Sequence, residues 1–288
     1  MEALLFAAPG TLAPALVAAL FGLMVGSFLN VVIYRMPKMM EREFENACAE
    51  HVGKEPVHSD VFTLSVPRSA CPCCGHKISA LENVPVISYL VLGGKCRGCK
   101  ARISPRYPII ELVTAVLSGL LVWHFGSGWQ GLATLPFVWL LVAMTMIDYD
   151  TQYLPDDLTY PLLWLGLLVN LDATFVPLRE AVIGAAAGYM ALWSVNALYK
   201  LVRGHDGMGN GDFKLLAALG AWLGWSMLPA IIMLSSVVGA VVGIALMILA
   251  RSGRETKIPF GPYLAGAGLL ALFYGESITF ATRAYLTP

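Results

Sequence analysis

The chain has 288 residues, no net charge, and only 13% charged against 57% hydrophobic residues; an average soluble domain is about 25% charged. A mean hydropathy of +0.68 excludes a single water-soluble core. The balanced charge gives no bulk electrostatic signal for nucleic acid, so no nucleic-acid partner is expected.

The apolar residues come in long blocks, and spanning a bilayer takes about 20 of them in a helix. Leu12–Tyr34 is the first such block. Met1 to Tyr34 contains no Lys or Arg, so the basic leader of a signal peptide is missing and this block reads as a retained transmembrane helix. A polar insert follows from Arg35 to Pro108. Further spans are expected near Ile109–Phe125, Trp129–Ile147, Leu154–Leu171, Ala181–Val202, Phe213–Leu228, Pro229–Ala250 and Pro259–Phe280. The expected fold is therefore an all-α polytopic membrane protein of about eight transmembrane helices. Its divisions are a first helix (1–34), a small cytoplasmic loop domain (35–108) and a membrane domain (109–288).

Positive charge sets the orientation. Eight spans place 17 of the 19 Lys and Arg on one side, in the 35–108 insert and beside Lys200, Arg203, Lys214, Arg251, Arg254 and Lys257. That side is expected to be cytoplasmic, with both termini periplasmic. Thiols there stay reduced, so the six cysteines are not expected to form disulfides.

Cys71 and Cys74, then Cys96 and Cys99, form two C-x2-C pairs. Four thiolates at this spacing suit a tetrahedral zinc ion, which closes its own coordination shell and is structural rather than catalytic. A loop this small needs such a staple.

Acids beside membrane spans point to function. Asp148, Asp150, Asp156 and Asp157 cluster at the end of the third span, and Asp212 closes Gly209-Asn210-Gly211-Asp212 before the sixth. The third span runs inward and the sixth starts inside, so Asp148 or Asp150 falls on the same face as Asp212. Two neighbouring carboxyl groups share a proton: one acts as base toward water while the other donates to a carbonyl oxygen. Such a pair suits peptide hydrolysis, and also a proton relay in a proton-coupled transporter. The bland alternative is that Asp212 and Asp156 cap helices. His205 is the one histidine near these acids. No G-x-S-x-G or H-E-x-x-H pattern competes.

Taken together, these segments resemble the type IV prepilin peptidase family. The resemblance rests on Gly26-Ser27-Phe28-Leu29-Asn30 through Pro37, the paired cysteine knuckles, and Ser104-Pro105-Arg106-Tyr107-Pro108 through Leu112. It rests also on Asp148 with Leu154-Pro155-Asp156, on the Gly-x-Gly-Asp ending at Asp212, and on Ile258-Pro259-Phe260-Gly261-Pro262-Tyr263. It implies that Asp148 and Asp212 are the catalytic pair of an aspartyl protease at the cytoplasmic face of the inner membrane. The implied substrates are type IV prepilins and type II secretion pseudopilins. The cysteine loop implies a second activity, N-methylation of the new N-terminal residue from S-adenosylmethionine. For that methyl donor, the candidate residues are Gly26, Asn30, Gly94 and Lys95; small-residue helix packing is the bland role for the first pair. Membrane lipid is the remaining expected partner.

Overall fold

The computed structural model describes residues 8–249 and 259–286. Arg251, Arg254, Lys257 and Ile258 lie outside them. Among the described residues all regular structure is helical, apart from two isolated β-bridges. The helices are α1 (Leu12–His51), α2 (Ile87–Val91), α3 (Arg106–Phe125), α4 (Trp129–Thr151), α5 (Asp156–Val169), α6 (Leu178–Arg203), α7 (Asn210–Leu223), α8 (Leu228–Leu249) and α9 (Gly261–Leu286). Two compact units, residues 1–143 and 144–288, divide the chain.

Every expected span has its helix, but lengths differ. Among the described residues, five helical stretches are long and apolar enough to cross a membrane: α1, α3, α4, α6 and Trp225–Ile248. By contrast α5 and α7 have 14 residues each, about 21 Å of helix. The sixth helix ends at Leu223 rather than at Leu228, because Gly224 turns the chain at φ +78° and a 3-10 turn, Trp225–Met227, leads into α8. The left-handed conformation at Gly224 is one that glycine adopts freely.

In the first unit, α1 packs along α3. Gly22 and Gly26, one turn apart, admit the α3 backbone: a Cβ on Gly22 would stand 2.9 Å from Ala115 Cα, and one on Gly26 2.8 Å from Glu111 Cα. Close packing of this kind is how helices associate within lipid. Instead of stopping at Tyr34, α1 runs through Pro37 to His51. The chain then returns antiparallel along this extension. Asn46 exchanges two hydrogen bonds with the backbone of His58, Arg42 pairs with Asp60 at 2.9 Å, and buried Arg35 donates to the carbonyls of Thr63 and Pro67.

In the second unit α7 is the hub. It packs on α5, α6 and α9 and is buried on every side from Asp212 to Leu223 save at Lys214. A short helix that is apolar all round belongs in such a place. Trp222 donates to Leu162 O at 2.8 Å. The buried Asn170 amide donates to the last-turn carbonyls of Ala221 and Trp222 and accepts from Phe175 and Val176. On the α6 side, a Cβ on Gly220 would stand 2.2 Å from Gly184 O. Gly220→Val is therefore expected to force α6 and α7 apart and cost about 1–3 kcal/mol or more. A lowered unfolding temperature in detergent checks this; an unchanged one would contradict the packing.

Candidate active site and thiolate cluster

Asp148 occupies the last turn of α4 and Asp212 the first turn of α7. They are 5% and 8% exposed, and their carboxylates lie within electrostatic reach of each other. Position separates them from the other acids. Asp150 and Asp157 are exposed. Asp156 binds Lys214 Nζ through both oxygens, at 2.6 and 2.8 Å. Helix capping does not account for Asp212: Gly209 is the α7 cap, and no side chain makes a capping bond there. At the start of α5 the cap is Pro155, not Asp156.

Three chain segments close around the pair. The amide of Gly261, the first residue of α9, donates to Asp148 Oδ2 at 2.9 Å. A Cβ on Gly261 would fall 2.6 Å from that same oxygen, so glycine alone lets this backbone reach the carboxylate. Leu154 fills the space between Gly211 and Gly261, 2.6 Å and 3.3 Å from where their Cβ atoms would stand. The end of α4, the start of α7 and the start of α9 thus meet at one end of the unit. In the connection before α7, Asn196 Oδ1 accepts from the amides of Gly207 and Met208, and its Nδ2 donates to Asp206. This buried asparagine, which sequence reasoning missed, holds the loop that delivers Asp212. His205 is exposed, stacks edge-on against Tyr199 and sets its Nδ1 3.2 Å from the neighbouring Asp206 O.

The four cysteines form one group. The sulfurs of Cys71, Cys74, Cys96 and Cys99 all lie within 4.8 Å of one another, with Cys71–Cys99 at 3.8 Å and Cys74–Cys96 at 4.0 Å. Thiolates about 2.3 Å from a tetrahedral zinc ion stand about 3.8 Å apart, so the quartet fits that ion. Each knuckle is built alike. Cys71 N bonds to His76 O and Gly75 N to Cys71 O; Cys96 N bonds to Ala101 O and Lys100 N to Cys96 O. The bridges Ala70–Lys77 and Lys95–Arg102 close the two turns. The amides of Cys73, then Cys74, point at Cys71 Sγ and hold its thiol down at about 6. Cys73 is outside the quartet, and His76 is engaged by Glu82 at 3.2 Å.

The remaining candidates fall in two places. Gly26 packs against Glu111 and Thr114, and Asn30 Nδ2 donates to Tyr107 O at 3.2 Å. Gly94 and Lys95 lie at the entry to the second knuckle, where Gly94 N bonds to Tyr89 O. Glu111 joins the two regions. Buried within α3, it accepts from Val86 N at 2.8 Å and from the Ser27 hydroxyl. An acid inside an apolar span was the available signal for it.

A helical membrane bundle with paired buried carboxylates and a separate thiolate quartet defines the class, and comparison with known proteins places the chain within it. Residues 20–125 match the bacterial peptidase A24 N-terminal domain and residues 135–244 the type IV leader peptidase family. A prepilin leader peptidase/N-methyltransferase of Pseudomonas aeruginosa is 53% identical over 287 residues, covering 99% of this chain and 98% of its own. Proteins of the same name from Aeromonas hydrophila and Neisseria gonorrhoeae are 55% and 50% identical, covering 93% and 94% of this chain and 92% and 94% of their own. No solved structure matches. The chain belongs to the type IV leader peptidase family, a family of aspartic peptidases. With its apolar helices, it is a multi-pass inner-membrane protein. The transporter alternative finds no support.

Proposed function

We propose that this protein removes the leader peptide from type IV prepilins and type II secretion pseudopilins and then N-methylates the exposed residue. The observation that carries the peptidase half is the burial of Asp148 and Asp212 together at one end of the second unit. In this proposal Asp148 and Asp212 hold one proton between them. The ionised carboxylate takes a proton from the attacking water, and the protonated one donates to the scissile carbonyl oxygen. The Gly261 amide fixes the orientation of Asp148, and the Asp156–Lys214 pair ties the start of α7 to the start of α5.

The quartet Cys71, Cys74, Cys96 and Cys99 holds a structural zinc ion, since four thiolates leave no open position for chemistry. S-adenosylmethionine supplies the methyl group. Gly26, Asn30, Gly94 and Lys95 are the proposed contacts for it, with Glu111 joining the parts that carry them. The functional divisions follow residues 1–34, 35–108 and 109–288. The positive charges support a cytoplasmic site and periplasmic termini.

The direct test offers a prepilin to the purified chain in detergent with S-adenosylmethionine, beside Asp212→Ala, and reads the product mass. A shortened, methylated product from the unaltered chain alone is expected. No cleavage of any prepilin offered would overturn the proposal. Gly261→Ala gives a finer check, because its methyl group displaces the Asp148 carboxylate. Misplacement on this scale costs about a hundredfold in rate, so kcat should fall by that order while the protein stays folded. An unchanged kcat would remove Gly261 from the site.

A further inference from the structure

We infer that the short helix α2, with its aliphatic side chains, is a membrane-surface anchor that seats the thiolate-bearing loop in the lipid headgroup boundary. The segment Val84-Pro85-Val86-Ile87-Ser88-Tyr89-Leu90-Val91-Leu92 is apolar in a loop that is otherwise polar and basic. Yet it does not form a core. Ile87, Leu90 and Val91 are 61%, 70% and 80% exposed, and the preceding Leu81 is 83% exposed. Water is a poor surrounding for such a group.

Its depth is fixed by the first unit itself. The Val86 amide, at the cap of α2, bonds to Glu111 in the second turn of α3. Glu111 packs against Gly26 of α1, and one turn nearer the start of α3 Asn30 bonds to Tyr107 O. This is the level at which both helices pass from apolar to polar sequence. Exposed Tyr107, Ile109 and Leu112 of α3 stand at the same level, so α2 continues the lipid-facing surface of that span. Val86 holds φ +58°, unusual for a β-branched residue and maintained only where surroundings over-determine it.

Charge identifies the occupant. Between Ile78 and Ile110 the positive residues are Lys95, Arg97, Lys100, Arg102 and Arg106, and the one acid is Glu82, which Ser79 and His76 engage. Aliphatic residues flanked by positive charge suit a boundary of anionic headgroups. Three aliphatic side chains on a five-residue helix are too few for a stable protein interface.

The test uses the full chain in nanodiscs of phosphatidylethanolamine and phosphatidylglycerol. A photoreactive benzoylphenylalanine replaces Leu90, or as control the exposed Val57 on the segment that returns along the α1 extension, and adducts are identified by mass with and without a prepilin. Lipid adducts at position 90, on the order of tenfold above position 57, are expected whether or not prepilin is present. Adducts with prepilin, with a second copy or with the chain's own residues in place of lipid would overturn the inference. The helical content and melting of Leu90→Asp are compared with the unaltered chain first; once folded, the variant should release the loop from the bilayer and raise proteolysis between Cys74 and Cys96. Neither arm uses catalytic activity, so failure here is separate from failure of the proposed function.

Discussion

Asp148→Asn and Asp212→Asn are each expected to slow prepilin cleavage by about a thousandfold or more, with the protein still folded and inserted. Asn keeps the shape of the side chain and can still accept the Gly261 amide, but it can neither take nor give the catalytic proton. Since the pair works as a unit, the double variant should be no slower than either single one. Single-turnover cleavage with purified variants measures this, and matched melting curves separate lost chemistry from lost structure. Full activity in Asp148→Asn would transfer the role to exposed Asp150 and break the dyad.

Cys71→Ser and Cys96→Ser are expected to strip the metal and unfold the loop between Ala70 and Arg102. Apparent zinc-binding energies in small thiolate sites are about 10–16 kcal/mol. Little else holds the two knuckles to each other: of the four clustered cysteines only Cys96 is buried, and the two bridges involve single residue pairs. Metal analysis of the pure protein should find one zinc per chain, falling to none in the variants, while limited proteolysis cuts within the loop. Methylation should fall with it, because Gly94 and Lys95 enter the second knuckle. Cleavage should fall less, since Asp148 and Asp212 belong to the other compact unit. A wild-type protein without zinc would sink the assignment.

Much of this is legible in the sequence. Long apolar blocks specify helices in lipid because the backbone has no other way to satisfy its polar groups there. The C-x2-C spacing specifies a knuckle because two thiolates must reach one ion. Less legible were features set by packing. Hydropathy could not show that α1 continues to His51, since its polar extension is held by partners from residues 58–67. Nor could it choose between Asp148 and Asp150: one turns inward and the other outward from the same helical turn, and only the Gly261 amide and the burial tell them apart. The break at Gly224 was blurred for a similar reason, because the residues on either side of it are equally apolar. Asn196 and Glu111 were overlooked as lone polar residues in apolar helices, which acquire meaning from partners far along the chain.

The burial of α7 has a physiological corollary. A helix that touches lipid must match the thickness of the hydrocarbon layer, tilting or stretching its surroundings when it does not. Enclosed by α5, α6 and α9, α7 is released from that requirement. Its 14 residues can be too short for the membrane without penalty, and Asp212 keeps its station as the bilayer thins or thickens with growth temperature. In the proposed dyad, the Asp212 half thus rides on a helix whose length the thickness of the lipid does not select.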